Sequence, residues 1–136
     1  MSVVLNAEER DALYLQALAE LTLLDDLRKA WETGDQETAF RLGRRCSDCL
    51  RLIVDGLGWG EHAGSDSVEL RISPTDLRRI LSRLRDSASV QVESERPEQE
   101  AFRAAFDRAG LVRDTCTAKL EEISEEEAGA APTAQP

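Results

Sequence analysis

Four stretches of this chain repeat apolar residues at steps of three and four. That spacing restricts the fold more than any other feature, because it is the period of an α-helix with one buried face. In the first stretch Leu13, Ala17, Leu21, Leu24 and Ala30 recur, with Tyr14, Leu18, Leu27 and Trp31 beside them, and nothing interrupts the run before Gly34. Asn6 with Glu9 three residues on forms a capping box, so one helix is expected over about residues 7 to 33, roughly 40 Å long at 1.5 Å per residue. Gly34 suits the left-handed position that ends a helix and Asp35 suits the N-cap of the next, which makes the connection an antiparallel helical hairpin. The second helix is expected to reach about Asp55, with Ala39, Leu42, Gly43, Cys46, Cys49, Leu50, Ile53 and Val54 on one side and Arg41, Arg44, Arg45, Asp48 and Arg51 on the other.

Ser73, Pro74 and Asp76 give the clearest helix start in the chain: an N-cap, a proline at the first helical position and a capping-box acid. Leu77, Ile80, Leu81, Leu84 and Ala88 form the stripe of that third helix. Pro97 is expected to open the fourth, with Phe102, Ala105, Phe106, Ala109, Val112, Cys116, Leu120 and Ile123 at helical spacing. Residues 56 to 66 hold four of the eight glycines and read as a loop. Val68, Leu70 and Ile72 alternate with charge as a short strand does, and "VQV" at 90 to 92 is its evident pairing partner. Aromatic residues make up only 4% of the chain, so the core must come from leucine and alanine, as packed helices allow. The expected architecture is mainly α, a four-helix bundle-like domain over 1–125 with a long N-terminal hairpin and a small two-stranded β ribbon, followed by a disordered acidic and Ala-Pro tail over 126–136.

"KAWETGDQETAFRL" resembles the middle of a tetratricopeptide repeat, whose hairpin turn often reads Gly-Asp with an alanine four residues on, here Gly34, Asp35 and Ala39. "WETG" is similar, with one extra residue, to the Trp-x-Gly turn of small secreted helical-hairpin proteins. Both resemblances cover a single hairpin, and a repeat architecture needs about three copies, so they imply a helical hairpin and no more.

Lys+Arg total 17 against 27 Asp+Glu, a formal charge of -10, which repels phosphate backbones and anionic membrane surfaces unless a local basic patch prevails. The N-terminus lacks a basic end followed by an apolar run, and no apolar stretch approaches the roughly 18 to 20 residues of a membrane span, so a cytoplasmic location away from membranes is expected. Three cysteines, an odd number, make reduced thiols the expectation. Arginine outnumbers lysine 15 to 2, a bias of GC-rich coding that points to a bacterial source.

Two cysteines two residues apart suit zinc, since the thiolates of one short turn can take two corners of a tetrahedron; Cys116 and the only histidine, His62, would be the remaining ligands. Cys46 and Cys49 lie within a leucine-bearing helical stripe, however, and Cys116 faces the apolar side of its own helix, so all three are expected as core residues and no cofactor is expected. His62 has no positioned nucleophile beside it, and reads as a surface loop residue. Trp59, set among glycines, either tucks over the helix ends or stands out as a binding anchor. Arg78, Arg79, Arg83 and Arg85 make the third helix locally basic, as in helices that enter DNA grooves, but pairing with acidic helices is the expectation and nucleic acid is not expected as a partner.

No catalytic constellation or cofactor fingerprint stands out, and the leading functional expectation is a non-enzymatic protein-binding or regulatory module acting through amphipathic helical surfaces, with homodimerisation through the first or last helix. The alternatives are a zinc or thiol sensor built on the cysteines and a DNA-binding regulator acting through the third helix.

Overall fold

The computed structural model describes residues 3–58, 64–94 and 98–130. Its elements in chain order are β1 (Val3–Asn6), α1 (Ala7–Glu20), α2 (Leu23–Thr33), α3 (Gln36–Arg51) continuing into a π-helical turn (Leu52–Gly56), β2 (Ser67–Leu70), α4 (Pro74–Ser94) and α5 (Glu100–Ala130). The mainly-α expectation holds, with a small two-stranded antiparallel sheet attached.

Apolar spacing dictates the core. Leu13 of α1, Leu52 and Ile53 of the π turn, Leu77 and Leu81 of α4, and Val112, Cys116 and Ile123 of α5 are all fully buried in one cluster. α4 and α5 share the most extensive interhelical contact, α1 lies against α5, and α2 packs on α3. At roughly 2 kcal/mol for each large apolar side chain removed from water, this cluster is the main source of stability. No described helix is long and apolar enough to cross a membrane.

The ends of the helices form as the caps foretell. Asn6 accepts a hydrogen bond from the Glu9 amide at 2.8 Å while its own amide donates to Glu9 Oε1 at 2.9 Å, so the capping box also anchors the end of β1. Gly34 closes α2 at φ +78°, and Asp35 accepts from the Thr38 amide at 3.2 Å to start α3. Ser73 donates its hydroxyl to Asp76 at 3.0 Å at the start of α4.

Several expectations are corrected. The first helix is two: at Leu21 and Thr22 the bonding tightens to i→i−3, with the Leu21 amide 3.1 Å from Leu18 O and the Thr22 amide 3.3 Å from Ala19 O. The Thr22 hydroxyl also bonds Ala19 O at 2.8 Å, which is how a threonine loosens a helix without glycine or proline. β2 does not pair with residues 90 to 92, which lie inside α4; its partner is β1, in the register Val3↔Leu70 and Leu5↔Val68. α4 keeps going because its next turn has partners: Gln91 bonds Gln16 and Val92 packs on the core. Leu50, expected on the apolar side of α3, is exposed, whereas the π turn shifts the helical phase and buries Leu52, Ile53 and Leu57 together. Pro97 lies outside the described residues. At the other end of the chain, residues 126–130, expected as the start of a disordered tail, are helical as the last turns of α5, and residues 131–136 lie outside the described residues.

A side chain at Gly34 would meet nothing within 4 Å, so its conformation alone is at stake. Gly34→Ala should therefore cost about 1 kcal/mol of stability and Gly34→Asn distinctly less, as read from urea unfolding midpoints at unchanged slope.

Candidate functional site

The three cysteines are where the helical wheel puts them, inside. Cys46, Cys49 and Cys116 are free and buried at 3%, 5% and 0% exposure. Burial pushes all three thiols up, Cys116 to about 12. For Cys49 the Glu20 carboxylate adds to that effect, accepting the thiol hydrogen at 3.2 Å and favouring the neutral form. Among the described residues no group of three His, Cys, Asp or Glu side chains is arranged to hold a metal ion. His62 and Trp59 lie outside the described residues.

Each of the four arginines singled out on the third helix has a carboxylate. Arg78 pairs with Glu127 of α5, Arg79 with Asp48 and Asp76 at 3.2 Å each, Arg83 with Asp48 at 2.9 Å, and Arg85 with its neighbour Asp86 at 3.3 Å. Asp48 is the centre of this arrangement, a buried acid at 7% exposure facing α4 from α3. Its Oδ1 accepts a hydrogen bond from Arg79; its Oδ2 has the Arg83 guanidinium beside it as an ion pair but receives no well-directed hydrogen bond.

The surface features that stand out belong to the α2–α3 hairpin. Trp31 is 79% exposed and Phe40 67%, although both are large aromatics on amphipathic helices. They flank an open apolar groove of about 860 Å³ between α2 and α3, floored by Leu27, Ala30, Ala39 and Gly43. Ala30 is the one buried residue of α2, because α2 packs on α3 while its other side meets no comparable neighbour. On the far side of Phe40 a second cleft of about 910 Å³ opens between the hairpin, α1, α4 and α5, and five arginines line it: Arg41, Arg44, Arg45, Arg83 and Arg108. The Arg44 guanidinium stacks 5.5 Å above the Phe40 ring, and these two residues border both clefts.

Sequence reasoning singled out neither Trp31 nor Phe40 for a surface role. Trp31 sits beside the apolar stripe of its helix, and only the one-sided packing of α2 leaves it in solvent. For Phe40 a signal existed: it falls outside the buried stripe of α3, among the arginines. Compared with protein-family models, curated proteins and solved structures, the chain matches none, so its function is read from its own geometry.

The raised thiols carry a pH signature. A folded pKa above the unfolded value, about 8.5, means that the thiols contribute their full stability below that pH and lose it progressively as pH rises toward the folded value. Stability under reducing conditions should fall above about pH 8.5, by about 1.4 kcal/mol per pH unit for each of Cys49 and Cys116, the two thiols pushed up furthest. In Cys116→Ala the slope between pH 9 and 10 should be smaller by about that amount, as measured by urea unfolding.

Proposed function

We propose that this chain is a non-enzymatic protein-binding module, regulatory in role, whose working surface is the α2–α3 hairpin, and that a second copy of the chain is the protein it docks. The observation that carries the reading is the pair of exposed aromatics, Trp31 and Phe40, on either side of an apolar groove on a hairpin whose outer helix has α3 as its one extensive neighbour among the described residues. Monomeric proteins rarely leave adjoining large aromatics in water, and tryptophan is the residue that most often anchors an interface. Two hairpins brought together about a twofold axis complete the four-helix arrangement that one hairpin begins, which is the economical way for a small helical chain to cover such a face.

A reducing cytoplasm suits this reading, since three buried, unpaired thiols need no oxidising compartment. The ion pairing of Arg78, Arg79, Arg83 and Arg85 also favours a role through the hairpin over one through α4, because arginines committed to carboxylates are less available to an outside partner.

Sedimentation equilibrium tests the proposal. The native protein should show a monomer–dimer equilibrium in the micromolar range, and Trp31→Ala should weaken it by about 2 kcal/mol, close to thirtyfold, without lowering the unfolding midpoint. A strict monomer at high concentration, or a dimer indifferent to Trp31→Ala and Phe40→Ala, would refute it.

A further inference from the structure

Ten of the fourteen arginines among the described residues pair with a carboxylate. Among the described residues the exceptions are Arg41, Arg44, Arg71 and Arg108, and three of those four line the same cleft beside Phe40. Glu20 and Asp86 line the cleft too but pair with Arg45 and Arg85, and Asp35 feels the charge of Arg41 without an ion pair to it. In a chain of formal charge -10 with 27 acids, three arginines without an ion-pair partner in one concavity are not what self-neutralisation of the surface would produce. Arg45 and Arg83 line the cleft as well, but their charges are answered by Glu20 and Asp48.

Two of the three guanidiniums are held in position by neutral groups. Arg108 donates its Nε to Gln16 Oε1 at 3.1 Å, and Gln16, only 2% exposed, is itself fixed by donating Nε2 to Gln91 Oε1 at 2.9 Å. A buried amide orients the arginine without cancelling its charge and leaves both terminal nitrogens free of that contact. Arg44 is propped on the face of Phe40, and Arg41 stands on the same helix one turn away. A guanidinium presents a planar fork matched to phosphate or carboxylate oxygens, and an aromatic face beside it receives the apolar part of the same molecule. The volume, about 910 Å³, is that of a site for a small molecule.

We propose that this cleft binds a small organic oxyanion, a molecule carrying a phosphate or paired carboxylates on an apolar or aromatic body, with Arg41, Arg44 and Arg108 as its charged contacts and Phe40 as its apolar wall. The proposal does not rest on the hairpin as a docking face, since it concerns the opposite side of Phe40 and needs only one chain.

Isothermal titration at low salt with three small probes tests it: phenyl phosphate, phthalate and inorganic phosphate, with poly-glutamate as a macromolecular comparison. Saturable binding of phenyl phosphate tighter than of phthalate identifies a phosphate ligand, and the reverse order a dicarboxylate; in either case inorganic phosphate should bind more weakly and added salt should weaken all three. Arg44→Gln and Arg108→Gln should each reduce affinity about tenfold or more, whereas Arg28→Gln, an ion-paired arginine away from the cleft, should leave it unchanged. Because Arg108 also contacts buried Gln16, the exposed Arg41→Gln serves as the variant that disturbs no packing. Binding of poly-glutamate without the small probes would transfer the cleft to an acidic polypeptide and overturn the proposal, as would no saturable binding, equal affinity for inorganic and phenyl phosphate, or affinity indifferent to the loss of Arg41 and Arg44. Subunit number, measured on the same samples, reports separately on self-association.

Discussion

Beside the apolar contacts of Cys49 and of Leu52 and Ile53 in the π turn, a seam of charge joins the hairpin to the rest of the molecule. Along the seam between α3 and α4, Arg51 meets Asp76 at 2.6 Å, Asp48 meets Arg79 and Arg83, and Arg45 meets the Ser87 hydroxyl at 3.1 Å. These rungs sit at positions 45, 48 and 51 of one helix and run down the other from 87 to 76, so that the two helices are antiparallel and in one register. Glu20, at the end of α1, holds Arg45 from the opposite side at 3.4 Å. A seam of this kind adds little to stability when both charges are solvated, but removing one partner of a buried acid leaves the others unanswered at a cost of several kcal/mol. Its contribution is geometric: apolar faces tolerate sliding, whereas a buried carboxylate between two guanidiniums has one place to be.

That division explains which parts of the fold were legible from the residues. Where one helix face meets one core, as in α4 with Leu77, Ile80, Leu81, Leu84 and Ala88, periodicity alone identifies the buried set. Caps were legible too, since Asn6, Gly34 and Asp35 act through their own local chemistry. What escaped depended on contacts between distant segments. β1 is four residues long and has no turn signal linking it to β2 some sixty residues later, so its alternation of Val3 and Leu5 is visible only once β2 lies beside it. The break at Thr22 has no glycine or proline to announce it.

The site was less legible than the fold for a related reason. Composition shows an excess of acid and a helix rich in arginine, but not which arginines are neutralised. Arg78, Arg79, Arg83 and Arg85 drew attention as a cluster in sequence, and in space each is answered by an acid from α3, α4 or α5. Arg41 and Arg44 were assigned to the solvent side of their helix correctly, but nothing in their spacing reveals that Arg108, more than sixty residues on, completes the wall of the same cleft. Cysteines behaved in the opposite way: a spacing that suggests metal ligation is also the spacing of a buried helical face, and the thiols lie on that face.

The two clefts and the ionic seam belong to one arrangement. Arg45 and Arg83 are members of the seam and also walls of the arginine-lined cleft, so the groups that fix the hairpin against α4 shape the cavity without contributing free charge to it. The charge left over resides on Arg41 and Arg44, both exposed on the hairpin, and on Arg108, fixed by a buried amide of the body. An anion between them would therefore bridge hairpin and body in the same sense as Asp48 does on the neighbouring seam. Phe40 and Arg44 face this cleft on one side and the apolar groove on the other, so the position of the hairpin sets the shape of both. Both surfaces are thus built on a hairpin whose outer helix, α2, contributes no residue to the core cluster, as is common where binding needs a face that the core does not claim.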